Sequence, residues 1–176
     1  MRSLVVTLEG NIGAGKSTVL TTLRHRLSSC SHVAVIMEPA DEWLEKGYLQ
    51  RMYAGTVNRL SFQLMVLTSL ASRLMVQLHE DPQPYLIITE RSPFSNLHVF
   101  ARIHLSDEEL DIYEHTWKDV VAMFANCTHV RHVVLHGTAE TLIERIRLRR
   151  RGCVGGPLDV LHFVSIRPGL GHGKFC

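Results

Sequence analysis

Two rhythms of apolar residues alternate along the chain. Short, nearly continuous runs stand at residues 3–8 (SLVVTL), 33–37 (VAVIM), 86–89 (LIIT) and 130–135 (VRHVVL). Runs of this length, rich in Val and Ile, predict strands covered by helices on both faces. Longer segments with helical spacing lie between them. Residues 16–27 form one, and residues 58–80 another, in which Leu60, Leu64, Leu67, Leu70, Leu74 and Leu78 recur at steps of three and four. Asn58 is placed to cap that second helix, and Pro82 and Pro84 close it. Ser106 followed by Glu109 forms a capping box for a helix reaching about Phe124, and Thr138 caps another whose first turn carries Glu140. Strands alternating with helices predict an α/β fold with a parallel sheet flanked by helices, four strands being evident. The Leu stripe is expected to pack into the core, and a spare apolar face on the long helices is the expected dimer surface.

Composition narrows the class without naming the chemistry. The chain has 176 residues, 45% apolar and 20% charged, which suits one globular domain and excludes a disordered or fibrous chain. Nineteen Lys and Arg against seventeen Asp and Glu leave a net charge of +2. That balance gives no reason to expect a nucleic-acid or membrane partner. No apolar stretch approaches the roughly 18 residues of a membrane span, and Met1 directly precedes a strand-like run, so a cytoplasmic location is expected. Four cysteines without a C-x-x-C pair fit a reducing compartment, and the scattered histidines lack metal-ligand spacing. Beyond Gly152 the texture changes, with glycine at 155, 156, 169, 171 and 173. The expected division is a folded domain over residues 1–152 and a divergent glycine-rich tail over 153–176.

The strongest chemical signal is GNIGAGKS at residues 10–17, which fits G-x-x-x-x-G-K-[ST] between a predicted strand and a predicted helix. Glycines allow backbone N–H groups to turn inward as an anion nest, and the following helix adds its positive end. Gly10, Asn11, Ile12, Gly13, Ala14, Gly15, Lys16, Ser17 and Thr18 are therefore expected to bind the phosphates of a nucleoside triphosphate such as ATP. Lys16 would carry charge to the terminal phosphates, and Ser17 would offer an oxygen to Mg²⁺. Thr18 begins the helix and has no required chemical role.

Further acids and bases stand where open α/β sheets bind ligands, at the carboxyl ends of strands. Glu38 follows VAVIM, and Glu90, Arg91 and Ser92 follow LIIT. In phosphoryl transfer, one carboxylate accepts the proton of an attacking hydroxyl, another assists the metal, and an arginine neutralises the moving charge. ERIRLRRRG, with Arg145, Arg147, Arg149, Arg150 and Arg151, crowds like charges that repel unless an anion is present. A phosphate lid is the expected use of this run, and a nucleic-acid surface is the alternative.

These elements resemble the deoxyribonucleoside kinases, the family of deoxycytidine, deoxyguanosine and mitochondrial thymidine kinases. EGNIGAGKST, EPADEW, the tyrosine and glutamine of MYAGTVNRLSFQ, ERSPFSN and ERIRLRRRG occur in the family's order. The resemblance implies a P-loop kinase that transfers the γ-phosphoryl group of ATP to the 5′-hydroxyl of a deoxynucleoside, in nucleotide salvage. It implies Glu38 as general base, Arg91 as charge clamp and Glu90 as metal-assisting carboxylate, with Lys16 also catalytic. Trp43, Tyr53, Gln63, Phe94 and Asn96 fall where the family shapes its nucleoside site. Gln63 faces the base, Tyr53 the sugar, and Trp43 and Phe94 are aromatic walls. Arg145, Arg149 and Arg151 match the lid arginines, and the family's homodimer is implied as well.

The departures are specific. Asn96 stands where the deoxycytidine and deoxyguanosine kinases carry aspartate, and Leu70 where deoxycytidine kinase carries arginine, which brings the site nearer the thymidine-accepting branch and favours pyrimidine deoxynucleosides. Cys153 and Val154 replace the acid that binds the sugar 3′-hydroxyl. No counterpart of the family's fifth strand is expected within the 176 residues. Two other readings stand beside this one. A nucleoside monophosphate kinase shares the P-loop but normally follows its third strand with Asp-Arg, not Glu90-Arg91-Ser92. A truncated nucleotide-binding protein would bind a triphosphate without transfer.

Overall fold

The computed structural model describes residues 2–148. In chain order the elements are β1 (Ser3–Gly10), α1 (Lys16–Arg26), β2 (Val33–Ile36), α2 (Ala40–Glu45), α3 (Tyr48–Tyr53), α4 (Arg59–Leu78), β3 (Leu86–Glu90), α5 (Pro93–Asn96), a π-helical turn (Leu97–Ala101), α6 (Arg102–His104), α7 (Asp107–Ala122), β4 (Thr128–Leu135) and α8 (Ala139–Leu148). The strands form a parallel sheet in the order β2-β3-β1-β4. Val5 of β1 pairs with Ile87 of β3 and Val130 of β4. Parallel neighbours require crossovers, and α1 and α4 with the elements around them supply these.

Each long helix begins as its sequence predicts. Asn58 accepts a hydrogen bond from Ser61 N at 2.8 Å, and Ser106 and Glu109 complete a reciprocal capping box. Thr138 Oγ1 accepts from Thr141 N at 3.3 Å at the start of α8. The Leu stripe of α4 is spent on the core. Leu74 joins Val5, Ile36, Ile87 and Phe124 against the sheet, while Leu67 meets Leu97, Ala101 and Tyr113. Burial on this scale contributes about 1.5–3 kcal/mol for each large side chain.

Five short elements lie outside the predicted ones. The helices α2, α3, α5 and α6 are too brief to show a stripe, and the π-helical turn carries no repeating signal. Of these, α2, α3, α5 and the π-helical turn supply residues that line the site. Among the described residues β4 is an edge strand, with Val133 and Val134 each 44% exposed. No helix among them is long and apolar enough to cross a membrane. The expected tail over 153–176, with Cys153 and Val154, lies outside the described residues.

Candidate active site

β1 ends in the phosphate loop, whose backbone only glycine adopts readily. Gly10, Gly13 and Gly15 have φ of 139°, 84° and 93°. A Cβ on Gly10 would stand 2.5 Å from the carbonyl oxygen of Leu135, and one on Gly13 would stand 2.8 Å from that of Leu142. The glycines therefore let β4 and α8 press against the loop. Gly10→Ala is expected to cost about 2–4 kcal/mol through clash and strain, read as a lower urea midpoint with an unchanged slope.

Lys16 folds back across the loop, donating to the carbonyls of Gly10 at 2.9 Å and Asn11 at 3.0 Å. Burial, then the nearby Arg91, lowers its pKa to about 8. Within the loop Ala14 is buried, whereas Thr18 is exposed on the first turn of α1. Ser17 Oγ donates to Glu90 Oε1 at 2.8 Å. This hydroxyl and carboxylate suit Mg²⁺, which takes oxygen ligands and shares most of its shell with phosphates and water. Among the described residues no cluster of three or more His, Cys, Asp or Glu offers a richer metal site.

Glu38 and Arg91 meet across the mouth of the loop, with Arg91 Nε 3.2 Å from Glu38 Oε1. The contact is an ion pair without the alignment of a hydrogen bond. Arg91 Nη2 donates to Gly10 O at 3.3 Å, and the guanidinium lies 4.3 Å from the ring centre of Phe100. Its backbone is left-handed at φ 60°, held by its own N–H on Leu8 O and by Thr89 Oγ1 donating to its carbonyl. Such strain persists where several contacts determine the conformation. Burial raises the Glu38 pKa above its ordinary value, with Arg91 pulling down and Glu90 pushing up. Glu9, 6% exposed, has no hydrogen-bond partner for either oxygen among the described residues, and its charge also acts on Lys16 and Glu38.

A cavity opens beside this pair, lined by Ile12, Glu38, Trp43, Tyr53, Gln63, Arg91, Asn96 and Phe100 together with apolar neighbours. Trp43 and Phe62 form an edge-on pair in its wall, 6.5 Å between ring centres. Phe94 is the exception among the predicted nucleoside-site residues. It turns into the core and packs edge-on against Phe124 at 5.9 Å, and Phe100 takes the position of the aromatic wall. Arg145 Nη1 reaches Gly13 O at 3.4 Å over the loop. Arg149 and Arg151 lie outside the described residues.

One continuous surface thus joins an anion cradle, a part-buried carboxylate paired with a buried guanidinium, and a cavity sized by aromatics and amides. The sequence profile of the deoxynucleoside kinase family matches residues 6–153. The chain belongs to the deoxynucleoside kinase family. A thymidine kinase of Ictalurid herpesvirus 1 (strain Auburn) is 38% identical over 172 residues, spanning 93% of this chain and 72% of that protein. The deoxycytidine kinase of Homo sapiens is 29% identical over 189 residues, spanning 89% of this chain and 70% of its own length.

This deoxynucleoside kinase is thus an enzyme that phosphorylates nucleosides from a nucleoside triphosphate, built on a four-stranded parallel sheet among its described residues. Sequence reasoning missed Ile12, Phe62 and Phe100 in the cavity wall. Ile12 was visible as a loop residue, but nothing local marks the other two.

Proposed function

We propose that this kinase transfers the γ-phosphoryl group of ATP to the 5′-hydroxyl of a deoxyribonucleoside, with pyrimidines preferred, in nucleotide salvage. The observation that carries this is the 3.2 Å Glu38–Arg91 pair, whose two residues line the nucleoside cavity while Arg91 also reaches the phosphate loop at Gly10 O. A hydroxyl bound in the cavity would present its proton to Glu38 beside the loop. Glu38 accepts that proton as the 5′-oxygen forms its bond to the γ-phosphorus, and the bond to the β–γ bridging oxygen breaks with its electron pair on ADP. Arg91 and Lys16 neutralise charge on the moving phosphoryl group. Ser17 and Glu90 would hold Mg²⁺, which when bound offsets the charge of the donor phosphates.

Trp43, Tyr53, Gln63 and Asn96 shape the nucleoside site in this reading, and Arg145, Arg149 and Arg151 close over the donor. Residues 1–152 act as the kinase domain. A homodimer through the long helices completes the proposal, supported by Val76 of α4 and Ile112 of α7, each more than half exposed. The viral relative named a thymidine kinase supports a pyrimidine substrate.

Incubating the protein with γ-labelled ATP, Mg²⁺ and each deoxynucleoside or its monophosphate tests the reaction. Label in deoxynucleoside 5′-monophosphates is the expected result. Transfer only to monophosphates, or triphosphate binding without transfer, would overturn it.

A further inference from the structure

The helix that carries Trp43 into the cavity wall has little of its own to hold it in place. α2 is six residues long, and its N-cap is Pro39, which offers no side-chain hydrogen bond. A helix this short is not stable alone and depends on what it packs against. It supplies Ala40, Trp43 and Leu44 to the cavity, and Trp43 clusters with Phe62, Val66 and Leu70 of α4.

On α2 the residue beside Trp43 is an acid that meets two cations. Glu42 Oε1 accepts from Lys46 Nζ of the following turn at 2.8 Å, and Glu42 Oε2 accepts from Arg73 Nη2 of α4 at 2.9 Å. The hydrogen bond from Lys46, with Arg73 adding to it, holds the Glu42 carboxyl below its ordinary value, so it is ionised at working pH. Arg73 follows Phe62, Val66 and Leu70 at steps of four and three on one face of α4. The ion pair therefore stands at one end of the apolar seam between the two helices. The Arg73 and Glu42 side chains are 41% and 44% exposed, so salt reaches and weakens their attraction.

We propose that the Arg73–Glu42 ion pair latches α2 onto α4, making Arg73 a positioning residue that holds Trp43 against Phe62 and sets how tightly the cavity binds a nucleoside. This deepens the nucleoside-kinase reading and rests on it. Arg73 stands outside the cavity wall and acts through α2. Glu38 precedes α2 by two residues and is tied separately to Arg91, so the latch governs affinity and leaves the chemical step alone.

Exchanging the charges tests this, with Arg73→Gln, Arg73→Glu, Glu42→Arg and the double variant Arg73→Glu with Glu42→Arg. Calorimetry reads the binding of thymidine and of deoxycytidine without triphosphate, and γ-labelled ATP reads turnover. Hydrogen exchange of the free protein reads the seating of α2, through the Trp43, Lys46 and Gly47 amides that donate to the carbonyls of Pro39, Glu42 and Leu44. Arg73→Gln is expected to raise the nucleoside Kd and KM about three- to fivefold, the scale of a half-exposed ion pair, with kcat held within about twofold. Each reversal alone sets like charges together and should raise both by about tenfold at low salt, and less at high salt. The double variant restores opposite charges and should return to within about twofold of wild type, a rescue that a packing role does not give. The three amides should exchange faster in each single variant and regain protection in the double, with α1 and α7 unchanged.

A Kd unmoved by Arg73→Gln and Arg73→Glu, a double variant no better than the single reversals, or exchange in α2 that ignores the charges would overturn the proposal. Should Arg73→Glu not fold, Arg73→Gln and its narrowing difference from wild type at high salt carry the test. Because calorimetry and exchange need no turnover, binding that follows the latch with no phosphoryl transfer would sink the proposed reaction and leave this inference standing.

Discussion

Glu38→Gln is expected to lower kcat by about 10²–10⁴-fold, the usual contribution of a positioned general base. Glutamine keeps the shape of the side chain but not the charge that faces Arg91, and it takes up no proton at working pH. Nucleoside binding should therefore survive while transfer fails, which separates a chemical role from a packing one. The pH profile carries a second signature. The Glu38 pKa lies above the ordinary value of 4.5, chiefly through burial, with Arg91 and Lys16 lowering it and Glu90 and Glu9 raising it. Catalysis needs the ionised form, so the rate falls as pH drops through the raised pKa. The acid limb of kcat/KM should therefore sit above the range of an exposed glutamate. Glu38→Gln should remove that limb, and a variant retaining both rate and limb would exclude Glu38 as the base.

Lys16→Met is expected to reduce kcat/KM for the triphosphate by about 10²–10³-fold, the scale of removing one group aimed at developing charge. Methionine fills a similar volume without the ammonium, and at pH 7 it should not melt below wild type, because the folded protein already disfavours that buried charge. The free-enzyme pKa of about 8 makes a further demand. Lys16 must be protonated to hold phosphate, so kcat/KM should fall as pH rises through about 8. A bound triphosphate adds negative charge and raises the Lys16 pKa, moving the alkaline limb of kcat to higher pH. Identical limbs in kcat and kcat/KM would show that Lys16 does not meet the donor.

Much of the site was legible because its parts are local in the chain. The loop glycines, Lys16 and Ser17 occupy consecutive positions, and Glu38 and Arg91 follow strands whose ends a parallel sheet must gather at one edge. The capping signals at Asn58, Ser106 and Thr138 were legible for the same reason. Phe94 was misplaced because standing three residues after Arg91 says nothing about which way a short helix turns its side chain, and α5 turns this one to Phe124. Phe62 has nothing in its local sequence to mark it for the cavity, and its place there exists only once α4 packs against Trp43 of α2.

That turn also limits how the chain can be shortened. A π turn holds one residue more than an α turn, and here the surplus presents Phe100 beneath the Arg91 guanidinium. Deleting a single residue between Leu97 and Phe100 would yield a more regular helix, yet swing Phe100 about 100° around the axis and away from the arginine. A gain in helical regularity would thus come with an uncovered guanidinium, so loop-trimming schemes aimed at a more stable kinase should leave this irregular turn intact.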